Sequence, residues 1–181
     1  MRLLTALLIC VALLCCQDRK SRVITNDLKK SITKSVKKKE PSVKKEKDFL
    51  ITDANVMEFL LDFGEKNKET LVRITTDFGT IEIKLFKNTK FHRSNFIYLT
   101  KKKYFDNTQF YRVISNFVIQ GGNSDDRITL KKRQNIGRYL LPNDYNKGYK
   151  HGRGMVSMPS KNIDNPYKKA SPFEFFIVQK Q

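Results

Sequence analysis

The sequence predicts a mainly β domain with flanking helices, and three stretches carry that expectation. Residues 71–76 and 80–86 alternate apolar with polar side chains around Asp77-Phe78-Gly79, the pattern of two strands joined by a tight turn. From Phe110 to Gln120 the chain is largely apolar, breaks at the turn-forming pair Ser115-Asn116, and stops at Gly121-Gly122. A third apolar run, ending at Val178, reads as a further strand.

Two segments precede that domain. Met1-Arg2 is a short positive start, residues 3–14 are apolar, and Cys15-Cys16 follows. This is the layout of a secretory signal peptide over residues 1–16, too short for a transmembrane helix. Leu13-Leu14-Cys15-Cys16 also resembles a bacterial lipobox, with cleavage before Cys16 and lipid attached to its thiol. The alternative is an ordinary signal peptide with incidental cysteines. All three cysteines lie in this leader, so disulfides, a Cys-ligated metal and a cysteine nucleophile are excluded beyond residue 16.

Residues 17–48 are lysine-rich, with twelve Lys/Arg against four Asp/Glu between Asp18 and Lys47. Such a segment buries too little apolar surface to offset its ordering entropy and reads as a disordered tether. The whole chain has a formal net charge of +18 at pH 7. That suits anionic lipid head groups or nucleic acid. An exported chain without a basic binding motif is not expected to meet nucleic acid, and a solvated lysine-rich surface is the plainer reading.

A helix is expected within residues 49–68. Asp53 can cap it, Val56, Phe59, Leu60 and Phe63 fall at i, i+3, i+4 and i+7, and Gly64 with the charged run to Glu69 ends it. The hairpin follows. Phe91 through Tyr104 reads as a second helix, with Phe91, Asn95, Tyr98 and Leu99 along one face. In the next strand alternate residues share a face, so Phe110, Arg112 and Ile114 point one way and Tyr111 and Val113 the other. A guanidinium in so apolar a run is costly unless it faces a cleft. Arg112, the aromatic Phe117 and Gln120 therefore mark one wall of a candidate site.

Phe110-Tyr111-Arg112-Val113-Ile114-Ser115-Asn116-Phe117-Val118-Ile119-Gln120-Gly121-Gly122 resembles the signature of the cyclophilin-type peptidyl-prolyl isomerases. That signature reads Phe-His-Arg-Val-Ile, two variable residues, then Phe-Met-x-Gln-Gly-Gly. Arg112, Phe117, Gln120, Gly121 and Gly122 match at the family's spacing, while Tyr111 stands where most members have His and Val118 where Met is common. Asn95-Phe96 in the second helix and Tyr104 to Thr108 extend the likeness. So do His151 to Met158, resembling Gly-x-Leu-Ser-Met-Ala, and Ser171 to Val178, resembling Gly-Ser-Gln-Phe-Phe-Ile. It covers roughly residues 69–181, leaving the helix at 53–66 as an addition.

The resemblance implies a closed, eight-stranded antiparallel barrel capped by helices. It also implies that the domain continues past Gln181. The last barrel strands, and a loop lending an apolar residue and a His to the proline pocket, are expected to be missing here, so the chain reads as a fragment of a longer gene product, the alternative being a truncated protein.

An X-Pro bond turns slowly because amide resonance leaves a barrier of roughly 18–20 kcal/mol. Catalysis needs no nucleophile, metal or cofactor. It needs an apolar cup for the ring and a donor for the prolyl nitrogen, whose lone pair localises as the amide twists. Arg112, which cannot lose its charge, is the expected donor; Gln120 would orient the substrate backbone. The resemblance implies a proline cup of Phe117, Met158 and Phe176, with Phe175 the alternative if the register slips by one. Glu174 stands where eukaryotic-type members have Gln. Its carboxylate could accept a peptide N–H while adding negative charge near Arg112. His151 reads as a structural or surface residue.

The function so implied is isomerisation of X-Pro bonds in exported proteins, by a monomeric lipoprotein anchored in the periplasm or cell envelope. Two alternatives stand beside it: a cyclophilin-like module that holds proline-containing segments without turnover, and a basic polyanion-binding protein.

Overall fold

The computed structural model describes residues 49–145, 147–160 and 164–180; the expected signal peptide, Cys16 and the tether lie outside them. β1 (Ile51–Thr52) leads into α1 (Val56–Lys66), followed by the hairpin β2 (Leu71–Thr76) and β3 (Gly79–Lys84). α2 (Lys90–Lys101), β4 (Arg112–Ile114) and β5 (Val118–Gly121) come next. α3 (Arg127–Ile136), β6 (Gly137–Arg138), β7 (Val156–Ser157) and β8 (Phe175–Val178) complete the order.

α1 buries Val56 and Leu60 as its period requires, but its ends are built differently from expectation. Asn55, not Asp53, stands at the N-cap, and its side chain accepts from Thr52 N at 2.8 Å. The Asp53 carboxylate instead accepts the Leu140 N–H at 2.7 Å, tying the stretch after β6 to the helix start. Gly64 does not end the helix. It lies inside, where α1 meets α2 so closely that a Cβ would sit 2.2 Å from Ser94 Oγ. Arg93 of α2, 7% exposed, donates to the carbonyls of Gly64, Asn67 and Glu69. It thereby supplies a cation to the orphan acceptors at the C-terminal end of α1.

α2 stops at Lys101 rather than Tyr104. Lys103 takes a φ of +53°, and Tyr104 N donates back to Leu99 O as its ring enters the core. In the hairpin, Thr76 pairs with Gly79, so Asp77-Phe78 is a two-residue turn; Val72 and Ile83, directly opposite, form its buried pair.

Three elements, β1, α3 and β6, have no counterpart in the expected order. α3 begins at Asp126, whose carboxylate accepts the Ile128 N–H. β6 follows at once and pairs in parallel with β1. Gly137 is required there, because its φ is +131° and a Cβ would lie 2.0 Å from Ile51 O.

The largest sheet runs β4-β5-β8-β7, antiparallel throughout. Val156, Phe175 and Ile177 turn one face onto the core, against Phe96, Phe105 and Phe110. The closed eight-stranded barrel is not formed by the described residues. Their strands fall into three separate sheets, and β4 and β7 each have one hydrogen-bonded neighbour where closure needs two. The architecture is open β sheet flanked by helices.

Candidate active site

Register across the four-stranded sheet sets a row of side chains on the face away from the core. Arg112 lies opposite Gln120, Gln120 opposite Phe176, and Phe176 opposite Ser157. Directly opposed residues in antiparallel strands point the same way, so each strand contributes one member. Phe175 falls on the other face. It is 3% exposed and edge-on to Phe96, Phe105 and Phe110.

Gln120, 8% exposed, is held at both ends of its amide. Its Oε1 accepts from Arg112 Nη1 at 3.2 Å. Its Nε2 donates to Tyr111 Oη and, at 3.5 Å, to Glu174 Oε2. Since the guanidinium only donates and the carboxylate only accepts, the amide has one orientation.

Strict alternation sends Tyr111 away from Arg112, yet both reach Gln120. β4 begins only at Arg112, so Tyr111 precedes the pleated ladder and its phenol is free to turn back across the strand. Burial, with the Glu174 charge and hydrogen bond next, pushes the Tyr111 hydroxyl up to about 12. It therefore remains neutral, its oxygen accepting from Gln120.

Met158 is not on this face. It is 8% exposed in the core, where Asn95 Nδ2 donates to its sulfur at 3.8 Å and Tyr139 Oη donates to Asn95 Oδ1. Parity explains the placement, because Met158 is one step past Ser157 and so turns inward. Phe117 is 54% exposed at the β4–β5 turn, its carbonyl accepting from Gln179 N. It makes no ring contact with Phe176 among the described residues. Phe117, Met158 and Phe176 are thus not brought together as a cup; of the three, Phe176 alone joins the row.

His151 borders the site instead. Its ring centroid is 5.5 Å from that of Phe176, and its Nε2 is 3.2 Å from Ser157 Oγ. Sequence reasoning missed Tyr111 and Ser157 as members of this surface. The signal for Ser157 was its place beside the apolar Val156, readable only once β7 is paired with β8. Among the described residues no three His, Cys, Asp or Glu side chains gather to hold a metal. A cleft of about 610 Å³ lies off the row, lined by Asn116, Arg153, Gly154, Val178, Gln179 and Lys180.

A family model, cyclophilin type peptidyl-prolyl cis-trans isomerase/CLD, matches residues 71–181. The chain is 35% identical over 113 residues to peptidyl-prolyl cis-trans isomerase-like 2 of Rhizopus delemar, covering 61% of this chain and 20% of the relative. It is 31% identical over 109 residues to a peptidyl-prolyl cis-trans isomerase of Acinetobacter baylyi, covering 60% and 54%. A solved cyclophilin type peptidyl-prolyl cis-trans isomerase of Cryptosporidium parvum aligns with a TM-score of 0.48 at 30% identity, over 61% of this chain and 67% of that one. The chain spans between a fifth and about half of the length of these two curated relatives. Matched by the family pattern over more than half of its residues, the chain belongs to the cyclophilin-type peptidyl-prolyl cis-trans isomerase family.

Proposed function

We propose that the protein is a peptidyl-prolyl cis-trans isomerase that assists folding of exported proteins from a membrane anchor at Cys16. The observation that carries this reading is the row Arg112–Gln120–Phe176: a permanent cation, an oriented amide and a half-buried aromatic ring on one sheet face. A proline ring resting on Phe176 leaves its amide bond on the side where Gln120 and Arg112 stand. As that bond twists, its nitrogen loses conjugation and gains a localised lone pair. A guanidinium donor binds this state better than the planar one, which lowers the barrier of roughly 18–20 kcal/mol. No bond to the protein forms, and no other reactant is consumed.

The layout of residues 1–16 and the lipobox-like Cys16 support an envelope location, with residues 17–48 as the tether and the domain acting as a monomer. Among the described residues no helix is long and apolar enough to cross a membrane. Ile114 and Phe117, exposed beside the row, favour a second reading, a module that holds proline-containing segments without turnover. Arg112→Ala separates the two. Lost acceleration of an Ala-Pro peptide with peptide binding retained supports the enzyme. A wild-type protein that suppresses aggregation of an unfolded client but never accelerates isomerisation overturns it.

A further inference from the structure

We infer that Glu174 gives this site a charge preference, favouring proline-containing segments that carry a lysine or arginine two residues from the proline. The inference rests on the isomerase reading above. It begins with position. Glu174 comes two residues before Phe176 and just ahead of β8, and its carboxylate reaches Gln120, which lies opposite that ring. Two residues of extended chain span about 6.6–6.8 Å. A substrate lying extended with its proline on Phe176 travels the same distance to its second neighbour, so that neighbour's side chain arrives at the carboxylate.

The second ground is electrostatic. Glu174 is partly exposed and makes no ion pair among the described residues, whose ion pairs all lie elsewhere. Its hydrogen-bond donor among the described residues is neutral, Gln120 Nε2 at 3.5 Å, and the Tyr111 hydroxyl on the same amide is neutral as well. Arg112 does not neutralise it, because the Gln120 amide stands between the two and bonds to each. A neutral donor orients the carboxylate without cancelling its charge. An arriving ammonium or guanidinium completes the missing pair, whereas an arriving carboxylate is repelled.

The same amide joins Tyr111 and Glu174. Gln120 Nε2 donates to both, so the Tyr111 phenol, by accepting from that amide, fixes the nitrogen that faces the carboxylate. Tyr111 is therefore a positioning residue for the acidic wall.

The test uses the full chain and two peptide series, with Lys, Ala or Glu either two residues before the proline or two residues after it. In one series at least, kcat/KM at low salt is expected to favour Lys over Glu by roughly three- to tenfold, with Ala between, as suits one partly exposed ion pair gained or opposed. The ratio should fall toward one at about 0.5 M salt. Glu174→Gln should collapse it and Glu174→Lys should invert it. Equal kcat/KM for all peptides overturns the inference and leaves the isomerase reading standing. No acceleration of any peptide, Ala included, overturns the isomerase reading itself. Should neither variant fold, the wild-type ratio decides, and one that is indifferent to salt also overturns the inference.

Discussion

Gln120 and Phe176 face each other across β5 and β8, and this single pairing determines which side chains share the outer face of the sheet. The next pair, Gly121 and Phe175, points into the core, where a Cβ on Gly121 would lie 2.8 Å from the Phe110 ring. A slip of one residue would exchange Phe175 for Phe176 on the outer face. The register that packs the core is therefore the one that assembles the site.

Arg112 is exposed, and its hydrogen bond is to another site residue, so its removal touches function far more than fold. Arg112→Ala is expected to lower kcat/KM on an Ala-Pro peptide by roughly 10²-fold or more, the loss typical of one preorganised donor. Its melting temperature should move by only about 3 °C, as for a surface change. Arg112→Lys should recover little activity, because an ammonium lacks the fixed fork that holds Gln120. A substantial rate in Arg112→Ala would remove this donor from the mechanism.

Tyr111→Phe deletes the hydroxyl that accepts from Gln120 and helps to orient its amide. A neutral hydrogen bond of about 1 kcal/mol corresponds to roughly a fivefold fall in kcat/KM. With the wild-type hydroxyl pushed up to about 12, the neutral phenol's contribution is complete below the ordinary value near 10 and is lost as pH rises through about 12. The wild-type rate should accordingly stay level to about pH 10. A rate that falls with an apparent value near 8 would place another group in control.

Asp144 predicts the acid limb of stability. Its side chain, 6% exposed, accepts from the Phe91 and His92 N–H groups and contacts His92 Nδ1 at 2.8 Å, capping α2 from a distant loop. Burial by itself raises its value, but the His92 and backbone hydrogen bonds outweigh that and hold the carboxyl below the ordinary range. A lowered folded value stabilises the protein above the unfolded value near 3.9 and ceases to do so as pH falls through the folded one. Asp144→Asn should cost about 1–2 kcal/mol at pH 7 and flatten the loss of stability below about pH 4. Denaturant midpoints of the two proteins that stay parallel from pH 7 to 3 would refute this assignment.

Local patterns were legible where one period or one turn decides the structure. The apolar stripe of α1, the Asp77-Phe78 turn, and the paired runs around Ser115-Asn116 are of this kind. α3 gave no such signal, because it docks largely through polar groups. Lys132 Nζ donates to the carbonyls of Lys103 and Asp106, and Arg133 donates to Tyr104 Oη and Asn123 Oδ1. β1 and β6 are two residues each, too short for any period. In the site, Arg112 and Gln120 were readable from one contiguous segment. Met158 was misplaced because an apolar side chain does not state which face it occupies, and Tyr111 because alternation was extended past the end of the ladder. Barrel closure depends on long-range pairing, which no local pattern encodes.

Ser94 Oγ is buried without a hydrogen-bond partner among the described residues, and it is the atom that a Cβ on Gly64 would meet at 2.2 Å. Ser94→Ala removes an unsatisfied hydroxyl and should be neutral or slightly stabilising. Gly64→Ala gains up to about 1 kcal/mol of helix propensity but overpacks the α1–α2 contact, a cost of roughly 1–3 kcal/mol. Alone it should destabilise. In the double variant the clash disappears, since the next atoms, Arg93 Nη2 at 3.4 Å and Ser94 Cβ at 3.5 Å, are ordinary contacts. The two changes should therefore couple favourably by about 1–2 kcal/mol, read from denaturant unfolding of all four proteins. Simple additivity would mean that the close approach of α1 and α2 is set by something other than the serine hydroxyl, leaving the carbonyls held by Arg93 as the remaining constraint on the two helices.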